Sequence, residues 1–129
     1  MVKTFTAREA SKALILVKDI TEDLRGEMET LILLQSRGAY PTEPETKKHI
    51  ERLKHHFEEL KQVGCVSREP QEGQIDFPSF YRDEPVFLCW GLGEEEVQHW
   101  HGIHEDHKSR REITDDFLRE NSKNSTAIA

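Results

Sequence analysis

Val86-Phe87-Leu88-Cys89-Trp90, opened by Pro85 and closed by Gly91, is apolar at every position. A run apolar on both faces reads as a central β-strand covered on both sides. The segments around it alternate and turn. Ile75-Asp76-Phe77 reads as a strand ending at Pro78, and Tyr81-Arg82-Asp83-Glu84 is a polar break. Gly91-Leu92-Gly93-Glu94-Glu95 is a turn-like link, and Val97 to Ile103 reads as a strand antiparallel to 86–90, with a short helix over 94–101 as the alternative. A small antiparallel sheet therefore occupies the second half of the chain.

The first half has a different period. Thr6-Ala7-Arg8-Glu9 is a capping box, and Ala10, Ala13, Val17, Ile20, Leu24, Leu31 and Leu34 follow at three- and four-residue steps, with Glu27 the one break. The spacing predicts one helix over about residues 7–37, on the order of 45 Å long. Gly38-Ala39-Tyr40-Pro41 stops it. Thr42-Glu43-Pro44-Glu45 reads as a second capping box, and Ile50, Leu53, Phe57, Leu60 and Val63 form a second stripe that ends at Gly64. Two helices joined by a short loop make an antiparallel hairpin. The second helix, about 30 Å, cannot cover the first. Ala13 to Val17, apolar all round, is expected to be buried against the sheet half. Leu31 to Leu34, at the other end, is expected to leave an apolar surface for a homodimer formed through the helices.

The expected fold is α+β: a long antiparallel helical hairpin (7–63) with a small antiparallel β-sheet and loops (64–113) packed at its open end. Residues 1–120 form a single domain and 121–129 a disordered tail, because the apolar pattern stops beyond Ile113.

Composition narrows the function. The 129-residue chain has 25 acidic against 18 basic residues, a formal charge of −7, which argues against nucleic acid and anionic membrane surfaces as partners. No signal peptide or membrane-length apolar run is present, so a soluble, cytoplasmic protein is expected. Two cysteines without C-x-x-C spacing fit reduced, buried thiols, with a Cys65–Cys89 bridge left open.

Several motifs crowd into one span: Gly64-Cys65, Gly73-x-Ile75-Asp76-Phe77-Pro78, Leu88-Cys89-Trp90-x-x-Gly93-Glu94, Trp100-His101 and Arg110. This set, with the Phe5-Thr6-x-x-Glu9-Ala10 helix opening, resembles the bacterial family catalogued as Domain of Unknown Function 2203. The resemblance covers most of the chain. It implies the fold class and points to Cys89, Trp90, Glu94, Trp100, His101 and Arg110, but it implies no activity. His99 and the stretch Ile103 to His107 depart from the family's pattern.

Three readings compete for this span. On a strand, His99 and His101 share a face. With His104 and Glu94 they would form a transition-metal site for zinc, iron, nickel or copper. Alternatively, Trp90 and Trp100 would wall a small-molecule ligand site, with His101, Glu94 and Arg110 orienting the ligand. In the plainest reading the tryptophans join sheet to hairpin, the cysteines fill the core, and His101 bonds to Glu94. No catalytic motif is present, and a nucleophilic cysteine fares worst. Cys89 lies in an apolar run, and Cys65 follows a helix C-terminus. The sequence supports a binding module, with an assembly module acting through the helical hairpin as the alternative.

Overall fold

The computed structural model of the protein describes residues 3–122. Helix α1 spans Ala7–Ser36 and α2 spans Pro44–Val63. Strands β1 (Gln74–Tyr81), β2 (Glu84–Gly91), β3 (His99–Gly102) and β4 (Arg111–Glu112) follow, then a short helix α3 (Asp115–Glu120) and strand β5 (Asn121–Ser122). The sheet is antiparallel, in the order β4-β3-β2-β1-β5. The architecture is α+β, with the helices antiparallel and the sheet packed on the N-terminal part of α1. Among the described residues, no helix is long and apolar enough to cross a membrane.

Thr6 and Glu9 close the expected capping box on α1. At α2 the cap differs from expectation: Glu43, not Thr42, is the N-cap, and no side chain bonds there. Pro44 is already inside the helix, where its fixed φ suits the first turn and its missing amide costs little. Gly64 ends α2 in the left-handed region, at φ 108°.

The buried stripe of α1 is Ala7, Ala10, Leu14, Val17, Thr21 and Leu24. It packs with Phe5, Leu60, Ile75, Phe77, Leu88 and Trp90 in one core. Glu27 interrupts the stripe because it faces α2, where His49 Nδ1 lies 2.6 Å and Arg52 Nη1 3.7 Å from its carboxylate. The expectation for Ala13–Val17 holds only in part. Leu14 and Val17 are buried, but Ile15 is 84% and Leu16 60% exposed. Sheet and α2 together cover less than the full circumference of α1.

β1 runs through Pro78 instead of ending there. The Pro78 carbonyl accepts from Phe5 N at 2.8 Å, on the side of β1 away from β2. A residue's N–H and C=O point to the same side of an antiparallel strand, so the missing N–H takes nothing from the β1–β2 ladder. Arg82 and Asp83 form the two-residue turn at φ 53° and 62°, the geometry that matches strand twist in a tight hairpin.

The apolar pattern does not stop at Ile113. Phe117 on α3 is buried and stacks on Tyr81 at 4.5 Å between ring centroids. Asn121 belongs to the fold as well. Its side chain accepts from Ala7 N at 2.8 Å and donates to Ser79 Oγ at 2.7 Å and to the Phe80 carbonyl at 2.9 Å. A single buried aromatic in a polar stretch has no period to reveal it, and an Asn anchored by distant partners looks like a tail residue. The remainder of the expected tail, 123–129, lies outside the described residues.

Replacing Phe117 with Ala should lower unfolding free energy by about 3–5 kcal/mol in urea denaturation. A loss below about 1 kcal/mol would mean that α3 does not dock.

Candidate functional site

Strand alternation gives the sheet two faces of opposite chemistry. Ile75 and Phe77 on β1, with Leu88 and Trp90 on β2, point into the core shared with α1 and α2. Asp76 and Cys89 are directly opposed on the other face, and His101 joins them from β3 through its pairing with Phe87. All three are fully buried, although Cys89 lies outside the hydrophobic core cluster. A carboxylate oxygen of Asp76, the Cys89 sulfur and a His101 ring nitrogen lie within 4.8 Å of one another. Among the described residues, no other three His, Cys, Asp or Glu side chains converge in this way.

The side chains of Arg68 and Gln74 cover this group. Val66 pairs with Asp76 through both backbone hydrogen bonds, and the chain then carries Arg68 back over the site. Arg68 Nε donates to Asp76 Oδ2 at 2.8 Å, while its Nη2 donates to the Glu105 carbonyl at 2.9 Å. The guanidinium rests on the Phe87 ring, 5.0 Å from the centroid. Gln74 Nε2 donates to Asp76 Oδ1 and lies 3.8 Å from the Cys89 sulfur. On the far side, Arg110 makes a two-pronged pair with Glu94 and lies beside the Cys89 sulfur. Burial opposes the Arg110 charge, but Glu94 and the Cys89 sulfur outweigh it and raise its pKa.

The structure places the expected site residues unevenly. His99 shares the face of His101, opposite Cys89, and its Nδ1 is buried without a partner. His104 is exposed beyond β3. Glu94 is held by Arg110 and by the Gly91 amide at 3.0 Å, so it does not bond to His101. Of His99, His101, His104 and Glu94, only His101 belongs to the close group. Trp90 and Trp100 lie on the helix-side face, Trp90 in the core and Trp100 against Tyr81 and Phe117. Alternation therefore separates both tryptophans from His101, while the Arg110–Glu94 pair lies beside Cys89.

Asp76 and Arg68 were not among the expected site residues, and Cys89 was read as inert because its strand is apolar in sequence. One signal was available. An acid between Ile75 and Phe77 in a buried strand must have partners. Cys65 behaves as expected for a buried filler: burial pushes its thiol up to about 12. Both cysteines are free thiols.

The motif residues Asp76, Cys89 and His101, far apart in the chain, thus meet in one small volume, with the Arg110–Glu94 pair beside Cys89. The family model described as "Uncharacterized conserved protein (DUF2203)" matches residues 3–113. The chain belongs to that family. No curated protein and no solved structure matches it.

In this DUF2203 protein both ring nitrogens of His101 face oxygen acceptors. Nε2 lies 2.8 Å from Asp76 Oδ1, and Nδ1 lies 2.8 Å from the Gly102 carbonyl. Neither oxygen can donate if Asp76 is a carboxylate, so both nitrogens do, and the ring is an imidazolium. Burial pulls the His101 pKa down, but the hydrogen bond to Asp76, with the Cys89 sulfur and the Gly102 carbonyl, pushes it up to about 10. The folded state therefore binds this proton more tightly than the unfolded chain. The resulting stability is complete below pH 6.5 and is lost as pH rises from 6.5 through about 10. Cys65 acts in the same direction only above its ordinary value of 9.0. For metal-free protein, unfolding free energy should fall between pH 6.5 and 9, and the fall should vanish in His101→Gln. Flat stability across that window, or a singly protonated ring by nitrogen NMR at pH 7.5, would show a neutral His101.

Proposed function

We propose that this protein is a binding module whose ligand is a transition metal, held by Asp76 Oδ1, Cys89 Sγ and His101 Nε2. The observation that carries this reading is the convergence of a carboxylate, a thiol and an imidazole from three adjacent strands within 4.8 Å, in a fully buried position. Thiolate, imidazole and carboxylate together suit zinc first, with iron, nickel and copper after it. The orientation of His101 supports it: the Nδ1 contact with the Gly102 carbonyl leaves Nε2 aimed at the group, as metal-ligating imidazoles are commonly held. Gln74 and Arg68 hold Asp76 in the same manner.

Metal and proton compete here. Loading removes the Nε2 proton of His101 and the thiol proton of Cys89, so affinity rises with pH and proton release accompanies binding. Three protein ligands leave one position open to water or another small ligand. Elemental analysis of untagged protein after gel filtration is expected to give near-stoichiometric zinc. Cys89→Ser and His101→Ala should lose it, while His104→Ala should keep it. A protein that is metal-free and refuses micromolar zinc at pH 8 would overturn the reading.

One observation favours a second reading, assembly through the hairpin. Ile32 and Leu33 near the end of α1 are 48% and 49% exposed, and Ile15 and Leu16 are more so. A homodimer through the helices would cover such residues. The double variant Ile32→Glu/Leu33→Glu should then halve the mass seen by sedimentation while leaving bound zinc unchanged. An unaltered mass would exclude this surface.

A further inference from the structure

The metal site has a cation at its margin that the three ligands do not explain. Arg68 covers the group from the solvent side, with its side chain 37% exposed. Its Nη2 lies 3.4 Å from His101 Nε2, the nitrogen assigned to the metal. Its Nη1 makes no hydrogen bond among the described residues, since the other two nitrogens serve Asp76 and the Glu105 carbonyl. The remaining charges nearby are matched in pairs: Arg110 with Glu94, Arg111 with Glu105, and His107 with Glu69.

Charge then does not balance once a divalent metal is bound. The Asp76 carboxylate and the Cys89 thiolate cancel the metal, His101 is neutral as a ligand, and Arg68 adds one positive charge. A buried site with one surplus positive charge favours an anion. The open metal position and the Nη2 side of the Arg68 guanidinium, 3.4 Å from His101 Nε2, would both serve such a ligand. A carboxylate carries two oxygens on one carbon, so one can bind the metal while the other accepts a charge-assisted hydrogen bond from Arg68. The ligand must also be small, because Asp76, Cys89 and His101 are buried to the last atom.

We infer that the loaded site takes a small carboxylate-class monoanion, with one oxygen on the metal and the other on Arg68. This rests on the metal reading above. Arg68 is here a specificity-determining residue, not a metal ligand: its carbonyl and carboxylate partners hold the guanidinium where the anion's second oxygen would lie. A neutral ligand would leave the charge uncompensated, and a dianion would over-compensate it.

The test uses the full chain loaded with cobalt(II), whose visible spectrum reports both thiolate ligation and the occupant of the open position. Formate is the probe, titrated at constant ionic strength made up with perchlorate. The expected result is a saturable change in the cobalt bands of the wild type. Arg68→Ala should hold cobalt but require about tenfold more formate or beyond, the loss of one charge-assisted hydrogen bond. Arg68→Lys, which keeps the charge but not a donor fixed by Asp76 and the Glu105 carbonyl, should fall between the two. It carries the test if Arg68→Ala does not fold: weaker formate binding than wild type supports the inference, and equal binding overturns it. Cobalt held by thiolate with no response to formate, or with an equal response in Arg68→Ala, overturns the anion site and leaves the metal site standing. Cobalt that does not bind through Cys89 overturns both.

Discussion

The register of β1 against β2 and of β2 against β3 is the constraint on which the rest of the molecule depends. It sets Asp76 opposite Cys89 and Phe87 opposite His101. Because side chains alternate along a strand, a slip of one residue would turn the polar group into the helix-packed core and carry Leu88 and Trp90 out of it. Two devices hold the register. The tight Arg82-Asp83 turn fixes β1 on β2, and the chemical difference between the faces makes every other alignment costly. The same alternation that builds the apolar core builds the candidate site on its reverse.

Burying an acid, an imidazole and a guanidinium edge together is costly unless the charges answer one another. Here the Asp76 carboxylate accepts from His101, Gln74 and Arg68, and among the described residues no donor reaches it from a helix. The side chains that cover the group come from separate parts of the chain. Arg68 follows the Val66 bridge, Gln74 begins β1, and Arg110 directly precedes β4. The cover is thinner than a helix and carries its own charges. This makes the group's contribution to stability depend on its protonation in a way that an apolar core's does not. The helical hairpin does not touch this chemistry; its task is to bury the opposite face, and the buried stripe of α1 ends at Leu24.

Much of this was legible along the chain. The Thr6–Glu9 capping box, the three- and four-residue steps of α1, the Gly64 stop and the apolar run 86–90 are local signals, and each element appears near where they point. His101 was legible as a residue of interest, but its partners were not. Glu94 lies closer in sequence, yet Asp76 Oδ1 is the oxygen it meets, because the ladder brings β1 and β3 to either side of β2. His104, three residues from His101, turns out to be exposed once β3 has ended at Gly102. Nearness in sequence was the wrong measure for a site built across strands.

The sequence by itself determined α1, α2 and the central parts of β1, β2 and β3, because capping, periodicity and alternation act over a few residues. Only the tertiary structure decided which residues meet: Asp76 with His101, Arg68 above them, Phe117 in the core and Asn121 on the β1 edge. These are pairings between segments from eight to more than a hundred residues apart. They follow from strand order and from the need to satisfy buried charge, and neither leaves a local periodic mark.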